Sequence, residues 1–173
     1  MTYSNPNIGS DEEEYASWFF EELKERGYVD EIIYQPKSFI LAEPVSYVWE
    51  KPKPTKKEPY RIEPIRSNLL EGTIYTTDIE VHWNEKAHRI FFDINIPAIK
   101  GSGKFIAYLD SPSSPITSYI EVKPIFDDNN MTREVMLKHN WLYQRYGYYV
   151  NLFIRDKIMP KLFTPTRYIL TQV

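Results

Sequence analysis

The run Ser118-Tyr119-Ile120-Glu121-Val122-Lys123-Pro124 sets a carboxylate and an ammonium two residues apart at the end of a strand-like segment. Side chains alternate along a strand, so Tyr119, Glu121 and Lys123 share one face while Ile120 and Val122 take the other. A carboxylate holds a hard cation, and an ammonium beside it polarises a water or steadies a phosphate. A second acid, Asp78, stands upstream in Ile74-Tyr75-Thr76-Thr77-Asp78-Ile79-Glu80-Val81. Downstream of Lys123 a polar loop leads to a helical pattern and then to another apolar strand.

The elements that must position these residues can be read from pattern. Ser10-Asp11-Glu12-Glu13 has the spacing of a capping box, and Ala16, Phe19, Phe20 and Leu23 give the helix behind it one apolar face, with Gly27 as its stop. A strand is expected near Glu31–Tyr34 and another through Phe39–Leu41. Residues 50–59 hold three prolines and four lysines without an apolar anchor and read as an extended, exposed loop. Thr73 to Trp83 alternates as a strand, turns at Asn84–Lys86, and returns over His88–Ile96. Gly101-Ser102-Gly103 is a further turn before Phe105–Leu109. Thr132 to Tyr146 has helical spacing, closed by Gly147, and Tyr148 to Ile154 is a short apolar strand. A helix joining two such strands implies a right-handed crossover and parallel pairing. The tail holds a short helix near Asp156–Leu162 and a strand near Arg167–Leu170.

Composition bounds the rest. The chain has 173 residues, which suits one domain able to bury its own core, and its 14 Tyr, 9 Phe and 4 Trp argue against disorder over most of it. The domain is expected to span 1–173, with a core at about 10–154, the Pro/Lys loop at about 50–59 and an extension over 155–173. The absence of cysteine excludes disulfides, thiol catalysis and thiolate-bound zinc. No secretory pattern opens the chain and no run approaches the roughly twenty apolar residues of a membrane helix, so a cytoplasmic location is expected. The net charge is −3, but its distribution matters more. Residues 1–50 carry eleven acids against three bases, whereas 51–67 and 131–173 are each net basic. Two basic segments are thus available to flank an acidic cluster, if they are more than mixed-charge surface.

The order helix, strands, acid, acid-x-lysine, crossover helix and strand resembles the core of the PD-(D/E)XK nuclease superfamily, and it does so over about residues 10 to 154. The resemblance implies an α/β (α+β) fold with a restriction-endonuclease-like core, a central mixed sheet flanked by helices, and here an inserted β-hairpin. It implies a Mg2+-dependent deoxyribonuclease, Mn2+ serving as an alternative cation, acting on duplex or branched DNA. Asp78 would be the first metal ligand, Glu121 the second, a backbone carbonyl near Val122 a further one, and Lys123 the lysine of the motif. The leading helix of the family often adds a glutamate, and Glu14 is the choice here, with Glu22 as the alternative, because Glu13 already has a capping role. Many relatives cut two strands as homodimers. The Gly-x-Ile-Tyr-Thr-x-Asp approach to Asp78 is similar to that of small phage-encoded endonucleases, which would place the chain in the host cytoplasm.

The chain also departs from the pattern. Thr77 stands where the name-giving proline would be, and 42 residues separate Asp78 from Glu121. A hairpin inserted over residues 84–109 accounts for that gap. Asp110 is therefore a rival first ligand and Asp93 a weaker one, although an Asp opening a Ser/Pro loop has an ordinary turn-forming role. Arg133 and Lys138, near the start and middle of the crossover helix, are candidates for phosphate contacts, as are Gln144 and the loop residues Lys56 and Lys57. Each of these is, taken singly, also an ordinary surface residue.

Two other readings compete. The chain can be a catalytically silent nuclease-fold module that binds nucleic acid or a protein through its basic loop and its tyrosines. It can also be an unrelated α+β protein in which Glu121 and Lys123 are a surface pair. Other chemistries lack their residues. His82, His88 and His139 are too scattered for a zinc site, no Gly-rich phosphate loop is present, and no serine stands in a nucleophile elbow.

Overall fold

Ser10 opens helix α1 (Asp11–Glu25): its hydroxyl accepts from the Glu13 N–H at 3.3 Å, and the Glu13 carboxylate reaches back to the Gly9 N–H at 2.9 Å. Gly27, at φ 77, closes the helix while the N–H groups of Gly27 and Tyr28 bond to the carbonyls of Lys24 and Leu23. The computed structural model describes residues 9–53, 56–57, 62–94, 103–124 and 133–171. They form two compact units, one of Met1–Lys37 with Thr76–Val173 and one of Ser38–Tyr75.

The larger unit is mixed α and β. Its central sheet contains β1 (Val29–Tyr34), β6 (Ile79–Trp83), β9 (Ile116–Val122) and β10 (Val150–Phe153), in that spatial order. β6 runs antiparallel to both β1 and β9, while β10 runs parallel to β9. The link between β9 and β10 contains helix α2 (Arg133–Tyr146), so the expected helix-bridged parallel pair is present. On one face Ile79, Val81, Trp83, Ile120, Val122 and Phe153 pack against Ala16, Phe19, Phe20 and Leu23 of α1. Burying such apolar side chains contributes about 1.5–3 kcal/mol each before the cost of ordering them. The opposite face carries the alternate residues, Tyr119 and Glu121 among them.

A second, two-stranded pair completes this core. β7 (Phe92–Ile94) and β8 (Phe105–Ala107) are parallel, with Phe92 opposite Phe105. The hairpin expected over residues 84–109 is therefore not what the described residues form, because a tight turn joins only antiparallel strands. Residues 95–102, which include Gly101 and Ser102 of the expected turn, lie outside the described residues. The strand expected from His88 is shortened because Asn84 caps a 3-10 turn at Glu85–Ala87 and Arg89 takes φ 64. The buried amide of Asn151 joins β8 to the main sheet: its Oδ1 accepts from the Ile106 N–H at 2.7 Å, and its Nδ2 donates to the carbonyls of Ile106 and Tyr119. Ser118 also donates to the Ile106 carbonyl and receives the Trp83 indole N–H.

Near the carboxyl end, α3 (Arg155–Ile158) fits the expected short helix, but Arg167–Leu170 lies in a helix, α4 (Thr166–Thr171), and not in a strand. The cause is distant in sequence. The Glu22 carboxylate accepts from the backbone N–H and the hydroxyl of Thr166, which satisfies donors at the start of α4. Among the described residues, no helix is long and apolar enough to cross a membrane.

The smaller unit holds two antiparallel pairs, β2 (Phe39–Ala42) with β5 (Thr73–Tyr75) and β3 (Val45–Pro52) with β4 (Ile62–Leu70). The segment read as a loop over 50–59 is thus partly strand: Glu50, Lys51 and Pro52 oppose Pro64, Glu63 and Ile62. Every residue of β3 is exposed, so burial left no pattern there to read. The single strand expected over Thr73–Trp83 is split into β5 and β6 by Thr76–Asp78.

Candidate active site

Strand β9 lies between β6 and β10, and six of its seven residues are buried. The Lys123 N–H still donates to the Phe153 carbonyl at 3.0 Å, and Pro124, which has no N–H to continue the ladder, follows it. Glu121 and Lys123 thus stand at the carboxyl end of β9. Because β6 runs the other way, the residue before it, Asp78, reaches the same end of the sheet. Ile79 pairs with Ile120, so the next step outward sets Asp78 beside Glu121 and on its face.

The Asp78 backbone is fixed on both sides. Its N–H donates to the Ile120 carbonyl at 3.1 Å, and its carbonyl accepts from the Gln35 N–H at 3.0 Å. Its side chain is fixed too, since Oδ2 accepts from the Val122 N–H at 2.7 Å. Glu121 is only 7% exposed, and a carboxylate so buried needs a compensating charge. Lys123 supplies it, with Nζ 2.8 Å from Glu121 Oε1. The three residues singled out first are therefore brought together.

Their electrostatics follow from this crowding. Burial, then the Glu121 charge and then that of Glu13, push the Asp78 carboxyl up from 3.8 to about 6, against the Val122 N–H and Lys123. His139, on α2, faces the same group. Burial holds its imidazole below the usual value, Glu121 pulls it up and Lys123 pushes it down.

The remaining candidates are placed as follows. The helix acid whose charge acts on Asp78 is Glu13, although its cap bond to Gly9 is also formed. Glu14 is half-buried one position on, and its carbonyl accepts from the Ser17 hydroxyl. Glu22 serves Thr166 and Arg26, a structural role. Asp110 is exposed and accepts from the Tyr148 hydroxyl at 2.7 Å, while Asp93 sits in β7. Arg133 is exposed at the start of α2, Lys138 pairs with Glu134 at 2.7 Å, and Gln144 is exposed. Lys56 and Lys57 belong to the smaller unit, between β3 and β4, and are exposed. Sequence reasoning missed Glu13 and His139 as neighbours of the acids. The capping box hid the first. The second was signalled only by its place on the helix that returns over the Glu121 face.

The donor set is oxygen-only, which suits Mg2+, a cation bound through one or two carboxylates while keeping several waters. Two acids close enough for one to raise the other's pKa have a repulsion that a cation would relieve. Asp78 and Glu121 therefore fit such an ion as a two-carboxylate site. Among the described residues, no group of three or more His, Cys, Asp or Glu is placed to hold a metal. Comparison of the chain with protein-family models, curated proteins and solved structures finds no match.

Proposed function

We propose that the chain is a metal-dependent nuclease that hydrolyses phosphodiester bonds of DNA. One observation carries this reading: the carboxylate held by the Val122 N–H lies beside the Glu121–Lys123 ion pair, at one end and on one face of the central sheet. Asp78 and Glu121 would hold Mg2+, which supplies an acidified water and positive charge against the scissile phosphate. Asp78 must be ionised to serve, and its raised pKa means that it surrenders its proton near neutral pH. Val122 keeps the Asp78 carboxylate in place through its backbone. Lys123 orients the attacking water or neutralises charge developing on the phosphate, as its position beside Glu121 allows. The PD-(D/E)XK core, the phage-encoded origin and the homodimer belong to the same proposal.

Plasmid and branched DNA incubated in Mg2+, Mn2+ and EDTA test it, with Lys123→Ala and Glu121→Gln beside the wild type. Cleavage only with metal, lost in both folded variants, is expected. Cleavage by both variants would move the site elsewhere.

A second reading is favoured by the absence, among the described residues, of a third metal-ligating group, and by the direct pairing of Lys123 with Glu121. It makes the chain a silent nuclease-fold module. DNA binding in EDTA without cleavage in any metal would select it.

A further inference from the structure

The face of the sheet that carries Glu121 does not end there. Leu152 of β10 is the register partner of Glu121, and Val150 is that of Tyr119. Paired residues of neighbouring strands project to the same side, about 4.8 Å apart. Leu152 and Val150 form part of the wall of a cavity of about 590 Å3. Met136, His139, Asn140 and Tyr143 of α2 line it as well, at the three- and four-residue steps of one helical stripe. Tyr108 and Tyr149 complete its aromatic lining, and the Tyr108 hydroxyl accepts from the Tyr149 N–H at 2.6 Å. The volume is that of a small-ligand site, which is commonly 300–1,000 Å3.

The chemistry of the lining selects a ligand class. Among the described residues no carboxylate, ammonium or guanidinium lines the cavity, so a charged group gains no partner from them by entering it. Flat aromatic side chains favour a flat partner with a π-face. The Asn140 amide and the His139 imidazole offer donors and acceptors to its edge. Tyr143 and Tyr149 are 57% and 47% exposed, so much of the ring surface at this site is open to an incoming molecule. His139 connects the cavity to the acids, since it feels the charges of both Glu121 and Lys123.

We propose that this cavity is a nucleobase site, which takes an unpaired base of the strand whose phosphate lies at Asp78 and Glu121. The inference rests on the nuclease reading for the position of the phosphate, and it names the substrate: nucleic acid single-stranded or branched near the cleaved bond. A paired base has its edge occupied and its faces stacked, and must leave the duplex to enter such a pocket. Stacking on Tyr143 and Tyr149 is the main attraction, with His139 and Asn140 reading the edge.

The test uses the full chain carrying Glu121→Gln, in EDTA, with a short single-stranded DNA containing 2-aminopurine and its blunt duplex as probes. The single strand is expected to bind at least tenfold more tightly, with 2-aminopurine fluorescence quenched by stacking. Tyr143→Ala should weaken that binding by about tenfold and remove the quenching, whereas Tyr143→Phe retains both. Tyr143 is exposed enough that its loss does not empty the core. Equal or tighter binding of the duplex, no binding of the single strand, or an unchanged Tyr143→Ala variant would each overturn the base site. The nuclease reading fails separately: single-strand binding and quenching without cleavage in Mg2+ or Mn2+ would leave the base site standing alone. Cleavage of paired DNA undiminished by Tyr143→Ala would do the reverse.

Discussion

The backbone N–H of Val122 donates to Asp78 Oδ2 at 2.7 Å, which ties the acid before β6 to the residue that separates Glu121 from Lys123. Position and charge at Asp78 can therefore be varied apart. Asp78→Asn keeps an acceptor for Val122 but removes the charge, and should abolish cleavage while the protein stays folded. Asp78→Ala also leaves a part-buried N–H without its partner and should cost about 1–3 kcal/mol more in denaturant melts. Wild-type cleavage by the Asn variant would remove Asp78 from the metal site.

The raised Asp78 pKa gives a signed pH dependence. The folded state holds this proton more tightly than the unfolded chain does, so Asp78 favours folding while protonated and opposes it once ionised. Its contribution should decline as pH rises from 3.8 to about 6 and stay level above that. The stability of wild type relative to Asp78→Asn, followed by denaturation between about pH 4 and 7, should fall across that window. The metal-dependent cleavage rate should rise through it, because the ionised form is the ligand. A level difference curve would show that Asp78 titrates as an ordinary carboxylate.

Divalent cation should stabilise the folded chain by binding where the two acids repel. At about a hundredfold excess over Kd, a ligand specific to the folded state adds about 2.7 kcal/mol. For a chain of this size that corresponds to a rise of roughly 5–10 °C in Tm. Scanning fluorimetry in Mg2+ and Mn2+ should record it for wild type and lose it for Glu121→Gln. Equal rises in both proteins would place the cation elsewhere.

The three helix glutamates should separate by assay. Glu13→Gln removes a charge that raises the Asp78 pKa, so the cleavage–pH midpoint should move down, whereas Glu14→Gln should leave it in place. Glu22→Ala removes two bonds to Thr166 and should lower stability by about 1–2 kcal/mol without changing cleavage. A midpoint shifted by Glu14→Gln and not by Glu13→Gln would reverse the assignment of the helix acid.

What the sequence disclosed was local. The Ser10 cap, the apolar stripe of α1, the alternation of β9 and the spacing of α2 each repeat within a few residues, so they could be read without knowing their neighbours. The proximity of Asp78 to Glu121–Lys123 came instead from the order of elements. What stayed hidden depended on partners far along the chain. Alternation runs on through Thr76–Asp78, yet β6 begins only at Ile79, because β5 pairs with β2 while the Asp78 carboxylate turns to Val122. Thr77 is buried in that break, its hydroxyl without a partner among the described residues. The β-branched and aromatic residues of Arg167–Leu170 suit a strand, but Glu22, 144 positions away from Thr166, starts a helix there. The parallel pairing of β7 with β8 has no signature in either three-residue strand.

The Asn151 amide gives the molecule a timetable as well as a junction. A chain is made from its amino end, so Phe105–Ala107 emerge 45 residues before the side chain that receives the Ile106 N–H. During that interval the outer side of β8 presents an N–H ready to pair with whichever strand arrives first. The main sheet closes only when β10 arrives, which makes its completion dependent on contacts distant in sequence and correspondingly slow. A pause in synthesis between these two points would prolong exposure of an adhesive edge, and a nascent chain stopped short of Asn151 would carry that edge permanently.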